Sequence, residues 1–332
     1  MNILITGATG YIASHTILEL LGKNHEIFAI DNFSNSSSET LHKISKISKK
    51  NISFFECDIT NKKNLEKVLS DVSPDIVIHF AGLKSVYDSI ISPLDYYLNN
   101  FYGTYLLLTA MDKVGCTKII FSSSATVYDL NSNPPFTEDD LIRPINPYGR
   151  SKLYVENMIC DWTNACSKRK AISLRYFNPA GAHCSGLIGE NPNGVPTNIM
   201  PLILEVASGK RDFLEVYGDD YDTNDGSCER DYIHVEDLAK AHVASIGALN
   251  HLDGNNFFNI GTGMPTSVFS LINKFKEITG VDIPFKVVER RPGDSPRSWA
   301  DVKKANTILK WSAEKDIESI IKDSFNYISN LK

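Results

Sequence analysis

Several features that define other classes of protein are missing from this sequence of 332 residues. No apolar run reaches the length of about 20 residues that a membrane-spanning helix needs. The six cysteines form no C-x-x-C pair and no spacing typical of zinc, so we expect reduced thiols and no metal. The motifs G-x-S-x-G and H-E-x-x-H are also absent, which argues against serine-hydrolase and zinc-hydrolase chemistry.

Positive charge is not in excess either. The formal net charge of -6 argues against general affinity for nucleic acid or anionic membranes, so an anionic ligand would need a few placed cations. The first strand-like run begins at residue 2, which leaves no room for a cleaved signal peptide. We therefore expect a cytoplasmic protein, and its 42% hydrophobic content is sufficient for a large core.

The residues that follow this first run form a glycine-rich turn. The sequence T-G-A-T-G-Y-I-A-S places Gly7 and Gly10 between a short strand and a helix-like segment. Such a turn presents backbone N–H groups to an anion at a helix N-terminus, and Ala13 is small enough for close helix–strand packing. The next strand ends in Asp31, at the spacing of a carboxylate that holds an adenosine ribose. The following N-F-S-N-S contains no Lys or Arg, so NAD is favoured over NADP.

Strand-like and helix-like segments alternate through the first half of the chain. The predicted strands are 2–6, 26–31, 52–58, 75–81, 118–123 and 171–177. This alternation predicts an α/β fold with a Rossmann-type doubly wound parallel sheet. A Gly-, Pro- and Asn-rich passage after Asn178 predicts a loop that faces a ligand.

The segment N-P-Y-G-R-S-K suggests acid–base chemistry. If Pro147 starts a helix, Tyr148 and Lys152 lie on one face, and the ammonium should lower the pKa of the phenol. The pair alone also fits an ordinary surface helix. The upstream strand F-S-S-S-A-T-V-Y, however, delivers three hydroxyls to the ligand-binding edge of the sheet, and Ser124 is the best placed to hold a reacting hydroxyl.

These motifs carry a family resemblance over nearly the whole chain. In order they are G-A-T-G-Y-I-A-S-H, H-F-A-G-L-K-S-V, F-S-S-S-A-T-V-Y, Y-G-R-S-K, R-Y-F-N-P-A-G-A-H, R-D-Y-I-H-V-E-D-L and P-G-D-S-P-R-S-W-A-D. The sequence resembles the extended short-chain dehydrogenase/reductases, and among them the 4-epimerases of UDP-glucose and UDP-galactose. The resemblance implies NAD that stays bound through the cycle, proton removal from the C4 hydroxyl by Tyr148, a transient 4-keto sugar and a homodimer built on helices around 96–111 and 148–162.

The resemblance also implies a set of binding residues. For the cofactor they are Gly7, Gly10, Tyr11, Ile12, Asp31, Asn32, Asp58, Ile59, Phe80, Ala81, Lys84, Asn99, Tyr148, Lys152 and Tyr176. For the UDP-sugar they are Lys84, Ser124, Tyr148, Asn178, Asn198, Tyr217, Arg230, Arg291, Asp294 and Ser298. The implied division is an NAD-binding domain at 1–178 with a return segment near 231–261, and a nucleotide-sugar lobe at 179–230 and 262–332.

The sequence departs from the family pattern in a few places, and two other functions remain open. Ser298 replaces the large Tyr of glucose-restricted members, which predicts that N-acetylated UDP-sugars are also accepted. A nucleotide-sugar 4,6-dehydratase is disfavoured because S-A-T-V has no carboxylate after the catalytic hydroxyl. A catalytically silent nucleotide-binding regulator is disfavoured by the intact Tyr148, Lys152 and Ser124. Two further sites have structural interpretations: His79 as a hydrogen-bonded core residue, and G-T-G at 261–263 as a turn.

Overall fold

The computed structural model describes residues 1–23, 25–130, 132–192, 194, 196–291 and 293–331. The strands are β1 (Asn2–Thr6), β2 (Glu26–Asp31), β3 (Ser53–Glu56), β4 (Ile76–His79), β5 (Lys118–Ser124), β6 (Lys170–Tyr176), β7 (Asn178–Ala180), β8 (Leu214–Tyr217), β9 (Glu229–His234), β10 (Gly254–Ile260), β11 (Pro265–Ser267), β12 (Phe285–Val288) and β13 (Arg297–Ser298). The helices are α1 (Tyr11–Leu21), α2 (Glu39–Ser48), α3 (Lys62–Val72), α4 (Val86–Ile91), α5 (Pro93–Tyr96), α6 (Gly103–Val114), α7 (Pro147–Asn164), α8 (Ile199–Ala207), α9 (Val235–Ala248), α10 (Val268–Thr279) and α11 (Ile317–Ser329). A 3₁₀ turn covers Ala125–Val127, and π-helical segments cover Tyr97–Tyr102 and Ala305–Leu309. Within these ranges, every helix is too short or too polar to cross a bilayer.

Seven parallel strands form the main sheet, in the order β10-β6-β5-β4-β1-β2-β3. Apolar side chains cover both of its faces: Ile17 of α1 and Leu238 of α9 lie in one cluster, and Leu65 of α3, Leu107 of α6 and Ile159 of α7 lie in the other. Because β1 lies between β2 and β4, the winding direction reverses there and opens a crevice at the carboxyl edge. The predicted doubly wound α/β sheet is confirmed.

The remaining strands form a smaller mixed α/β layer beside this edge. β9 pairs with β7 and β13 in parallel and with β11 in antiparallel, while β8 and β12 form a separate parallel pair. A third apolar cluster packs these strands against helices α8, α10 and α11. The segment from β9 to β10 returns to the main sheet, where α9 packs on α1 and β10 pairs with β6.

Several predicted strand ends move by a few residues. β3 is shorter than the predicted 52–58, because the Asp58 carboxylate accepts bonds from the backbone N–H (2.7 Å) and the hydroxyl (2.6 Å) of Thr60, forming a turn. β4 ends at His79, after which the backbone N–H of Ala81 donates to the Thr6 hydroxyl at 3.1 Å. β5 extends to Ser124, and β6 covers 170–176 instead of 171–177.

Helix α7 begins where the sequence predicts. Pro147 occupies the first helical turn, and the side-chain oxygen of Asn146 accepts a hydrogen bond from the backbone N–H of Gly149 at 2.8 Å. Proline supplies a helical φ without needing an acceptor, and asparagine caps a free N–H group. This start places Tyr148 and Lys152 one turn apart near the carboxyl ends of β5 and β6.

Candidate active site

One cavity of about 1140 Å³ extends from the β1–α1 turn, along the carboxyl edge of the sheet, to the smaller layer of strands. All of the predicted site residues line it except Asp58 and Ser298. Asp58 lies behind the wall, where it accepts a 2.8 Å bond from the Asn32 side chain. Ser298 lies in β13 opposite Arg230 of β9, and its short side chain does not extend to the cavity wall. The volume is sufficient for a ligand of dinucleotide or nucleotide-sugar size.

The glycine turn forms one end of this cavity. Gly7 has a φ of 65°, and a Cβ atom there would lie 2.7 Å from the backbone nitrogen of Ala81. Gly10 precedes α1 with extended backbone; within the described chain no side chain caps this helix, and its first turn contains no acidic residue. The helix N-terminus therefore faces the cavity with positive partial charge, which fits the diphosphate of a dinucleotide. Ala13 is a buried residue of α1 that packs into the core, where close helix–strand packing needs a small side chain.

Asp31 lies beside this turn at the end of β2. Its carboxylate accepts bonds from the backbone N–H groups of Thr9 at 3.0 Å and Phe33 at 2.8 Å, and from the Ser36 hydroxyl at 3.1 Å. A fixed carboxylate at the cavity wall fits an adenosine ribose and opposes a 2′-phosphate. Lys43 of α2, which lies in a basic run typical of a solvated helix face, also lines this end and pairs with Glu39 at 3.2 Å.

Ser124, Tyr148 and Lys152 come together on one wall of the cavity. The Lys152 ammonium donates to the carbonyl oxygen of Ser122 at 2.7 Å and lies 5.8 Å from the centre of the Tyr148 ring. Of the three serines in β5, Ser123 donates its hydroxyl to Glu156 at 2.6 Å, whereas the Ser124 hydroxyl accepts from the Thr126 hydroxyl at 2.9 Å and lines the cavity with Tyr148. Ser124 therefore remains the predicted partner of the phenol.

The pKa of Tyr148 differs from the sequence expectation. Burial raises this pKa, and the Ser124 side chain only partly opposes the effect. Burial also lowers the pKa of Lys152 to about 8, against the opposing charge of Glu156. The prediction that the Tyr148 pKa is lowered is therefore wrong, because desolvation outweighs the groups that favour the phenolate.

Two aromatic side chains, Tyr176 and Phe80, line the cavity next to this trio, and both contact the ring of His242. The Tyr176 hydroxyl hydrogen-bonds Nε2 of His242, and Nδ1 of His242 is 2.9 Å from the carbonyl oxygen of Leu238. Burial lowers the pKa of His242 to about 4, so its ring is neutral and its Nε2 accepts a hydrogen bond from the Tyr176 hydroxyl. Phe80 packs on the same ring at 4.6 Å between centroids.

The cations predicted for the diphosphate line the far part of the cavity and have protein partners. Lys84 pairs with Glu190 at 2.7 Å, and Arg230 pairs with Asp294 at 3.5 Å. The Arg291 guanidinium lies 4.2 Å from the centre of the Tyr217 ring. Sequence reasoning missed Glu190, whose carboxylate also accepts a 2.7 Å bond from Asn198, because no motif marks it.

The structural interpretations of His79 and of G-T-G are confirmed. His79 is buried between the hydroxyls of Thr6 at 2.7 Å and Thr104 at 2.8 Å. Residues 261–263 wrap around the Asp231 carboxylate, which accepts from the backbone N–H groups of Thr262 at 2.8 Å and Gly263 at 2.9 Å. The group that this turn binds is therefore the Asp231 carboxylate of the protein itself and not a ligand.

Two groups of metal-ligand type lie away from the cavity. One contains His183, Cys184 and Glu236; the other contains His234, Glu236 and Asp323. The Lys315 ammonium contacts Glu236 at 2.6 Å and Asp323 at 2.8 Å. The carboxylates of Glu236, which belongs to both groups, and of Asp323 are therefore already paired with the Lys315 ammonium.

Comparison with known proteins gives the same picture over the whole chain. Residues 3–261 match the model of the "NAD dependent epimerase/dehydratase family". The chain belongs to this family. It is 44% identical to the UDP-glucose 4-epimerase of Bacillus subtilis over 330 residues, which cover 99% of this chain and 97% of that protein.

Solved structures of family members agree closely with the fold. The UDP-glucose-4-epimerase of Stenotrophomonas maltophila, with bound NAD and formylated UDP-arabinopyranose, has a TM-score of 0.97 and 40% identity over 100% of this chain and 98% of that one. The Bifidobacterium longum enzyme, in complex with NAD+ and UDP, has a TM-score of 0.95 and 43% identity over 99% and 98% of the two chains. The resemblance to the 4-epimerases is confirmed, and neither the dehydratase nor the silent regulator is favoured.

Proposed function

We propose that this chain is an NAD-dependent 4-epimerase that interconverts UDP-galactose and UDP-glucose. The observation that carries the proposal is the convergence of Ser124, Tyr148 and Lys152 on one wall of a single cavity. The glycine turn at one end of this cavity fits a dinucleotide, and the cations at the other end suit a second diphosphate.

The chain's own residues move a proton at the sugar's C4 oxygen. The phenol oxygen of Tyr148 removes this proton and later returns it, while the Ser124 hydroxyl holds the C4 oxygen by a hydrogen bond. The Lys152 ammonium favours the phenolate against the burial that raises the Tyr148 pKa. The dinucleotide that the glycine turn and Asp31 would hold would supply a reversible hydride acceptor for C4, which epimerisation through a transient 4-keto sugar requires.

The remaining predicted residues have binding roles in this proposal. Residues 1–178, with the return segment near 231–261, bind NAD, and residues 179–230 and 262–332 bind the UDP-sugar. Lys84, Arg230 and Arg291 neutralise phosphate charge, and Asp294 accepts from the uridine ribose. All six cysteines are free, which supports a reducing, cytoplasmic location. A role in galactose metabolism would follow from the proposed interconversion of UDP-galactose and UDP-glucose.

A coupled assay tests the central proposal. The purified protein should convert UDP-galactose to UDP-glucose, and its denatured supernatant should contain NAD(H), because an epimerase returns its hydride within each cycle. Stripping the dinucleotide should abolish turnover, and adding NAD should restore it. Full turnover by protein free of dinucleotide, or no turnover with NAD bound, would contradict the proposal.

We also propose a homodimer that covers an exposed apolar face on α5 to α7. Leu94, Leu98 and Tyr105 are 77%, 54% and 51% exposed on this face, and Tyr154 of α7 stacks on Tyr97 beside them. Pairing these helices across a two-fold axis buries their apolar faces in a four-helix arrangement. Light scattering at micromolar concentration should give twice the chain mass, and Leu98→Asp should halve it. A wild-type monomer would refute the dimer.

Finally, we propose that the enzyme also acts on UDP-N-acetylglucosamine and UDP-N-acetylgalactosamine. Ser298 lies opposite Arg230, which lines the cavity, and Ser298→Tyr would place an aromatic ring beside that guanidinium. That variant should lose the acetylated pair and keep the plain pair. Wild-type turnover of UDP-galactose without turnover of UDP-N-acetylgalactosamine would defeat this extension alone.

A further inference from the structure

A buried ion pair lies directly behind the Tyr148–Lys152 wall. Arg175 of β6 donates to both carboxylate oxygens of Glu156 of α7, from Nε at 3.0 Å and from Nη2 at 2.9 Å. The side chains are only 4% and 1% exposed. The Ser123 hydroxyl of β5 donates to the same carboxylate at 2.6 Å. This group therefore joins three elements of the fold at one point.

The ion pair adjoins the proposed catalytic residues in sequence. Glu156 is one helical turn after Lys152, and Ser123 lies between Ser122, which accepts the ammonium bond, and Ser124. Arg175 immediately precedes Tyr176. Glu156 and Arg175 do not line the cavity, so they cannot contact a ligand in it.

The arginine is fixed from its other side as well. Its Nη1 donates to the Tyr128 hydroxyl and to the carbonyl oxygen of Glu138, both at 3.1 Å. The Tyr128 hydroxyl in turn donates to Asn259 at 2.6 Å. A carboxylate held by so many donors has a defined position.

We propose that Glu156 is a positioning residue for Lys152: its buried carboxylate, fixed by Arg175 and Ser123, anchors α7 and keeps Lys152 in its ammonium form. The proposal rests on the proposed epimerase function for its catalytic meaning. It goes beyond that function because Glu156 touches neither substrate nor cofactor.

The electrostatic surroundings of Lys152 support this role. Among the described residues, the titratable groups that face Lys152 are Tyr148 and Glu156 on its own helix and His79 at the end of β4. His79 is neutral because burial lowers its pKa to about 3. Burial lowers the pKa of Lys152 to about 8, and the charge of Glu156 is what opposes that fall. Removing this charge should therefore lower the Lys152 pKa further.

The test compares Glu156→Gln with Glu156→Asp, which keeps the charge. NMR titration of ¹³Cε-labelled lysines reports the Lys152 pKa, and the signal is assigned by its loss in Lys152→Met. We expect Glu156→Gln to lower this pKa by about one unit and Glu156→Asp to stay near the wild type. A fall of one unit from about 8 reduces the ammonium fraction at pH 8 about fivefold, so kcat should fall about fivefold there. KM should stay unchanged, and the alkaline limb of the pH–rate profile should move to lower pH.

Two controls separate this role from a purely structural one. Asp112→Asn removes a carboxylate that binds the Trp162 indole N–H at 2.9 Å and so anchors the far end of α7; it should leave the Lys152 pKa unchanged. If Glu156→Gln does not fold, Glu156→Met with Arg175→Met replaces the buried pair by apolar groups, a change that such sites often tolerate. The Lys152 pKa should fall in this double variant too.

The outcomes are distinguishable. An unshifted Lys152 pKa in folded Glu156→Gln or in the double variant overturns the inference, as does an equal shift in Asp112→Asn. The NMR titration needs no turnover, so an inactive wild type with a shifted Lys152 signal would refute the epimerase function and leave the effect of Glu156 on Lys152 established.

Discussion

Replacing Tyr148 by Phe is the most direct perturbation of the proposed chemistry. The change removes one oxygen from a ring that lines the cavity together with Ser124. Ser124 keeps its bond from the Thr126 hydroxyl at 2.9 Å, so the loss in stability should stay near 1 kcal/mol. The rate should fall about 10²- to 10⁴-fold, which corresponds to about 2.7 to 5.4 kcal/mol in the activation free energy.

The matched control removes the same oxygen from the same helix. Tyr154 of α7 is 43% exposed and lies outside the cavity, so Tyr154→Phe should turn over UDP-galactose at the wild-type rate. Both variants should keep their bound NAD(H), measured after denaturation, and unfold within a few degrees of the wild type. If Tyr148→Phe retained the wild-type kcat with NAD bound, the assignment of the general base would be wrong.

Three further outcomes follow from the same geometry. Lys152→Ala should be slow, with its residual activity shifted to higher pH, because the buried phenol then ionises without an adjacent ammonium; an unchanged pH profile would contradict this. Gly7→Ala places a side chain at a residue with a φ of 65° and brings its Cβ against the backbone, so the protein should lose both NAD and stability. A variant that purifies with full NAD content would refute the role of the glycine turn. His15, His79 and His242 have folded pKa values of about 4, 3 and 4, against about 6.5 in the unfolded state. The unfolded state therefore takes up protons first, and the free energy of unfolding should fall from pH 6.5 toward pH 4 by on the order of 3 kcal/mol per histidine. Equal free energies of urea unfolding at pH 7.5 and pH 5 would disprove this.

The sequence was sufficient where the decisive interactions are local. The glycine turn, the alternation of strands and helices, and the start of α7 at Pro147 depend on residues a few positions apart, and these predictions agree with the structure. The spacing of Tyr148 and Lys152 is likewise a property of one helix. Such features can be predicted from the sequence because helix propensity and capping hydrogen bonds depend on residues within one or two turns of each other.

The features that sequence reasoning missed depend on contacts between distant segments. Glu190 meets Lys84 across 106 positions in the chain, and nothing in the surrounding loop indicates that pairing. The raised pKa of Tyr148 results from burial by several elements, whereas the sequence shows only the neighbouring Lys152. The same holds for Ser298, whose distance from the cavity wall follows from the pairing of β13 with β9.

The partners of the cations explain how an acidic protein can bind two diphosphate ligands. Lys84 is 43% exposed in its pair with Glu190, and Arg230 pairs with Asp294 only at 3.5 Å. The exposure of the lysine and the length of the arginine pair both weaken these interactions, so we expect the exchange of the carboxylate for a phosphate to cost little. Arg291 lies against an aromatic ring, which orients its guanidinium without neutralising it. With a net charge of -6 the protein repels anions in general, so we expect these few oriented cations to confine phosphate binding to the cavity.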